Sequence, residues 1–93
     1  PARVYLVSIG QKGGEAADAL YDELTAQGVE VLYDDRDARP GEKFADGELM
    51  GIPYTLTVSD RLVESDQYEL KARATGDVKL LTRDELFASM GTS

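Results

Sequence analysis

The stretch Arg3-Val-Tyr-Leu-Val-Ser-Ile9 is apolar almost without interruption over the length of one strand. Such a run suits a strand covered on both faces. Gly10-Gln-Lys-Gly-Gly14 interrupts it, and glycines so closely spaced predict a loop. From Glu15 to Gln27 the period changes: Ala16, Ala17, Leu20, Tyr21 and Leu24 gather on one helical face, with Asp18, Asp22 and Glu23 largely outside it. Early acids favour the helix dipole, and Gly28 supplies a stop. A second apolar strand, Val29–Tyr33, follows directly. Strand, helix and strand in such short succession predict a right-handed βαβ crossover.

Asp34-Asp-Arg-Asp-Ala-Arg39 predicts a charged loop, and Pro40 stands where a first helical residue would. A helix over Pro40–Met50 places Phe44, Ala45 and Leu49 inward and ends at Gly51. Ile52–Val58 reads as a third strand, with Pro53 tolerated near its start, and makes a second crossover. After Ser59 the pattern shifts. Tyr68, Leu70, Ala72 and Ala74 alternate with Glu69, Lys71, Arg73 and Thr75, which predicts a strand with one wet face. Thr75-Gly-Asp77 predicts a turn into an antiparallel partner at Val78–Leu81. Thr82 and Glu85 have capping-box spacing for a last helix through Met90, stopped by Gly91. The expected fold is therefore α/β: a three-layer sandwich on a mixed five-stranded sheet with three helices, in one domain over residues 1–93.

Composition narrows the chemistry. The chain has neither Cys nor His, which removes thiol catalysis, disulfides, Cys/His zinc sites and every imidazole mechanism, the Ser–His–Asp triad included. Absence of Cys fits a cytoplasmic chain, and no apolar run is long enough to span a membrane. A formal net charge of −8 argues at first against nucleic acid. The charge is uneven, however: residues 67–83 carry Lys71, Arg73, Lys79 and Arg83 against Glu69 and Asp77. A basic patch can survive on an acidic body.

Two loops invite a binding role. Gly10–Gly14 at a helix start offers backbone amides to phosphate, although it is neither a dinucleotide fingerprint nor a Walker A loop, and a flexible turn accounts for it better. Asp34, Asp35 and Asp37 sit at the carboxyl end of the second strand and offer ligands to a hard cation such as Mg²⁺. Arg36, Arg39 and Lys43 interleave with these acids, so internal salt bridges explain them without a metal. A phosphoacceptor receiver domain is a poor match, because its acids follow the first and third strands, where this chain has Ser-Ile-Gly and Val-Ser-Asp60.

The most informative segment runs from Asp34 to Tyr54: Asp34-Asp-Arg36, Arg39-Pro-Gly41, Lys43-Phe-Ala-Asp46, Glu48-Leu49 and Gly51-Ile-Pro-Tyr54. In this order the motifs resemble the C-terminal anticodon-binding domain of class II aminoacyl-tRNA synthetases, of the bacterial prolyl type. The likeness extends upstream through Leu20-Tyr-Asp-Glu-Leu24 and Gln27–Leu32, and downstream through Val58-Ser-Asp-Arg61 and Glu69-Leu-Lys71. It implies a domain that docks the anticodon loop of proline tRNA and reads its two guanines.

Guanine recognition needs a donor to O6 and N7 or a carboxylate on the N1–H and N2–H₂ edge, and unpaired bases need a surface on which to stack. On the resembling segment Arg36, Arg39 and Lys43 are the donors, Glu42, Asp35 or Glu48 the acceptor, and Phe44 a platform. Lys43 and Phe44 stand about 100° apart on a helix, which favours Lys43 toward RNA and Phe44 toward the core. Arg39, directly before Pro40, has an alternative salt bridge to Asp35 or Asp37. Lys71 and Arg73 on the wet strand suit backbone phosphate; the competing reading is an edge strand guarded by Lys. The resemblance implies no cofactor in this domain, since ATP and Mg²⁺ belong to a separate catalytic domain of the parent synthetase. That catalytic domain is a second expected partner, and no membrane is expected. The rival to RNA binding is a free-standing paralogue acting as a protein-interaction module.

Overall fold

The computed structural model describes residues 3–34 and 51–90. Five strands form one sheet: β1 (Val4–Ile9), β2 (Val31–Asp34), β3 (Tyr54–Ser59), β4 (Tyr68–Ala72) and β5 (Val78–Leu81). Three helices are described: α1 (Gln11–Ala26), α2 (Asp60–Glu64) and α3 (Arg83–Ser89). The spatial order is β2-β1-β3-β4-β5. β1 pairs in parallel with β2 (Val4↔Val31 through Val7↔Asp34) and with β3 (Val4↔Tyr54 through Ile9↔Ser59). β4 and β5 add antiparallel. The mixed five-stranded α/β sheet and the closing hairpin are as the sequence predicts. The expected helix Pro40–Met50 lies outside the described residues.

The apolar run of β1 feeds two clusters, one on each face of the sheet. Val4 and Leu6 join Leu20 and Leu24 of α1, Leu56, Val58 and Leu70 of the sheet, and Leu86 and Met90 around α3. Tyr5 and Val7 point the other way and meet Ile52, with Ile9 packed alongside. All four residues Val4–Val7 are buried, so both faces of this internal strand are covered. Val63 of α2 also packs on the first cluster, which places the three described helices on one side.

Local signals explain where the elements stop. Gly28, at φ 86°, ends α1 in a left-handed conformation. The Gly28 amide donates to the Thr25 carbonyl at 3.1 Å and the Val29 amide to the Leu24 carbonyl at 3.0 Å. This is the paired closure that satisfies orphan carbonyls, with Val29 buried beside Leu24. Val29 is thereby spent on the cap, and β2 begins at Val31 instead. The Thr82–Glu85 capping box forms reciprocally: the Glu85 amide donates to Thr82 Oγ1 at 3.3 Å and the Thr82 amide to Glu85 Oε1 at 2.9 Å. At the other end of α3 the Arg3 guanidinium donates to the Met90 carbonyl at 3.0 Å, a cation where the helix dipole is negative. Arg83 adds an ion pair to Glu23 of α1 and lies over the Phe87 ring at 5.0 Å. The Glu23 hydrogen bond pushes the Arg83 pKa further up. Thr82→Ala should cost about 1 kcal/mol in thermal unfolding, and Thr82→Ser should retain most of it.

Two sequence expectations are corrected. α1 begins at Gln11, so Gly13 and Gly14 are helical and not loop residues. A short helix also follows β3 directly. Ser59 caps it by accepting from the Leu62 amide at 3.2 Å, and Asp60 supplies the acid of its first turn. Its five residues are too few for helical periodicity to be visible.

Candidate nucleic-acid interface

The strand register arranges the face opposite the described helices in rows. One row runs Leu32, Tyr5, Thr55, Lys71, Val78, and the next runs Asp34, Val7, Thr57, Glu69, Leu80. At the carboxyl ends of β1 and β3 the second row opens into a groove of about 440 Å³. Ile9, Thr57 and Ser59 line it from the sheet, Arg61, Leu62 and Ser65 from α2 and its end, and Gln67, Glu69 and Leu80 from the far side. Here the chain passes from β2 on one side of β1 to β3 on the other, the kind of place where α/β sheets hold ligands. The groove mixes one exposed guanidinium, one carboxylate, hydroxyls, an amide and aliphatic surface. That suits unstacked bases better than a small apolar ligand.

Lys71 stands one strand repeat from Glu69 on the same face, about 7 Å along β4. It is half-buried between Thr55 and Val78 in an internal strand. The edge-guard reading of Lys71 is therefore overturned, because β5 forms that edge of the sheet. β4 ends at Ala72, so Arg73 lies in the following turn, exposed, with its amide donating to the Pro53 carbonyl at 2.8 Å. Val78 and Leu80, each 52% exposed, give this end of the sheet an apolar surface beside Lys71 and Glu69.

The Gly10–Gly14 segment does not present a free amide cradle. The Gly13 amide donates to Asp60 Oδ1 at 2.8 Å, and the Gly14 amide to the Gly10 carbonyl at 2.9 Å. Gly10 adopts φ 84°, and a Cβ there would lie 2.4 Å from Asp60 Oδ1. The place a phosphate would take at the helix start is held by the chain's own carboxylate.

Arg36, Arg39, Glu42, Lys43 and Phe44 lie outside the described residues, as do Asp35, Asp37 and Glu48. They follow in sequence on Asp34, the last described residue of β2, which stands in the same register row as the groove residues Thr57 and Glu69. The Tyr5 hydroxyl donates to the Asp34 carboxylate there. Among the described residues no group of three or more acids is placed to hold a metal ion. Arg61 and Gln67 were not singled out from the sequence as binding residues. The signal was present in Ser59-Asp60, a cap and first-turn acid that announce a helix start, with Arg61 next.

Comparison with known proteins agrees with this geometry. A family model described as "Anticodon binding domain" matches residues 3–91, and the chain belongs to that family. Within it the likeness is to the prolyl type: the chain is 53% identical over 78 residues to a proline–tRNA ligase of Psychrobacter arcticus. That alignment covers 84% of this chain and 14% of the ligase. The RNA binding domain of threonyl-tRNA synthetase from Cryptosporidium parvum Iowa II matches over 100% of this chain and 24% of that one, with a TM-score of 0.86 and 29% identity. The chain thus spans about a seventh of the length of its curated relative. The resemblance carried by Asp34–Tyr54 and its flanking motifs is borne out at the level of family and type. Among the described residues no helix is long and apolar enough to cross a membrane.

Proposed function

We propose that this chain docks the anticodon loop of proline tRNA on behalf of a proline–tRNA ligase and discriminates the two guanines of the proline anticodon. The observation that carries the reading is the 53% identity to a proline–tRNA ligase over most of the chain. The groove at the carboxyl ends of β1 and β3, lined by Arg61, Gln67 and Glu69, supports it. Arg61 and the segment bearing Arg36, Arg39 and Lys43 supply donors to base edges, with Glu42 or Glu69 as acceptor and Phe44 as a stacking surface. Lys71 and Arg73 neutralise backbone phosphates. The domain makes no bond itself: ATP, Mg²⁺ and proline belong to the catalytic domain of the ligase. Its contribution is affinity and cognate selection.

Titration of proline tRNA at low salt, beside the same tRNA with both anticodon guanines replaced, tests the reading. Each lost guanine should cost about 1–3 kcal/mol. Lys71→Ala should weaken both RNAs alike, roughly fivefold, and flatten the dependence of log K on log salt by about one unit. Equal affinity for the two RNAs would remove the anticodon reading. No binding to either would favour a protein-interaction module.

A further inference from the structure

We infer that Asp60 is a positioning residue for RNA binding, which it serves by locking the α2 wall of the groove against the first turn of α1. The inference rests on the proposed RNA-binding function. α1 has no side-chain cap of its own, because Gly10 occupies the cap position. Asp60, almost fifty residues away in sequence, provides that service by accepting the Gly13 amide at 2.8 Å. The two glycines make the approach possible. Gly10 leaves room for the carboxylate itself, and a Cβ on Gly13 would lie 2.6 Å from the Val58 carbonyl. A second tie, Lys12 Nζ to Glu64 Oε1 at 3.2 Å, joins the same turn to the far end of α2 but is exposed. Asp60 therefore faces away from the groove while its neighbours Arg61 and Leu62 line it. A five-residue helix has little stability of its own, so the orientation of Arg61 depends on what holds α2 in place.

The sign of the effect distinguishes this role from simple electrostatics. Removing an acid beside an RNA site should tighten binding if charge alone matters. Loss of the lock should weaken it. Proline tRNA is titrated at low salt into wild type, Asp60→Ala and Asp60→Asn, well below each melting temperature, with amide hydrogen exchange recorded on the free proteins. Asp60→Ala should bind about tenfold more weakly, with an unchanged salt slope and faster exchange at Gly13, Leu62 and Val63. Asp60→Asn, which keeps the acceptor oxygen and drops the charge, should bind at least half as well as wild type. An Asp60→Ala variant that binds as tightly as wild type, or tighter, overturns the inference and leaves the RNA reading intact. So do α2 amides that exchange as in wild type. A wild-type chain that binds neither RNA overturns the function on which the inference stands.

Discussion

Gly14→Ala should raise the stability of this chain and Gly13→Ala should lower it, although the two are neighbours in one helix. Propensity predicts the same sign for both, since Ala exceeds Gly by about 1 kcal/mol in a helix interior. The surroundings separate them. A Cβ on Gly14 meets nothing within 4 Å, so the replacement should gain roughly 0.5–1 kcal/mol. On Gly13 it would lie 2.6 Å from the Val58 carbonyl and 3.0 Å from the Ser59 Cα. Those are backbone atoms of β3, held in register with β1 through Ser8↔Val58 and Ile9↔Ser59. Relief requires α1 to move off the sheet, and that stretches the Gly13–Asp60 hydrogen bond. Overpacking of this kind costs about 1–3 kcal/mol and outweighs the propensity gain. Urea unfolding should show midpoints displaced in opposite directions at constant m. Two midpoints displaced upward would contradict the packing described at the head of α1.

The larger loss is expected at Leu86. It is fully buried and is the one buried residue within the seven residues of α3, the helix that contacts β4 and β5. Leu86→Ala should cost about 2–5 kcal/mol out of a total that for a domain of this size is roughly 5–14 kcal/mol. The melting temperature should fall by about 10–30 °C. Leu32→Ala provides the contrast: Leu32 is 40% exposed on the edge strand β2, and its truncation should change stability by about 0.5 kcal/mol or less. Comparable losses from the two would mean that α3 is not anchored through Leu86.

The sheet and its order of elements were legible because β1, the face of α1 and the alternation in β4 each carry a distinct period. The Thr82–Glu85 box and the Gly28 stop were legible because caps depend on spacing within a few residues. What the sequence concealed is tertiary. Gly13 and Gly14 read as helix breakers, yet α1 runs through them because Asp60, at the start of the neighbouring α2, supplies the missing cap. An edge-guard role stood beside phosphate binding for Lys71 because alternation reveals which residues share a face but not which strand lies outermost. The groove was partly hidden for the same reason. Arg61 comes from α2, Gln67 and Glu69 from β4 and the residue before it, and Leu80 from β5, and the fold brings them together. The resemblance of Asp34–Tyr54 needed no geometry, since it rests on motifs in fixed order.

β1 occupies the middle of the sheet's parallel part, and its partners begin at Val31 on one side and Tyr54 on the other. A chain synthesised from its N-terminus thus exposes Val4–Val7, a wholly buried run, long before both edges of that strand can be satisfied. The β4–β5 hairpin, by contrast, closes between Lys71 and Val78. Loop closure favours the late hairpin over the early strand, although the early strand organises both cores. During translation the adhesive segment of this domain is therefore its oldest, and its protection waits on some fifty further residues emerging.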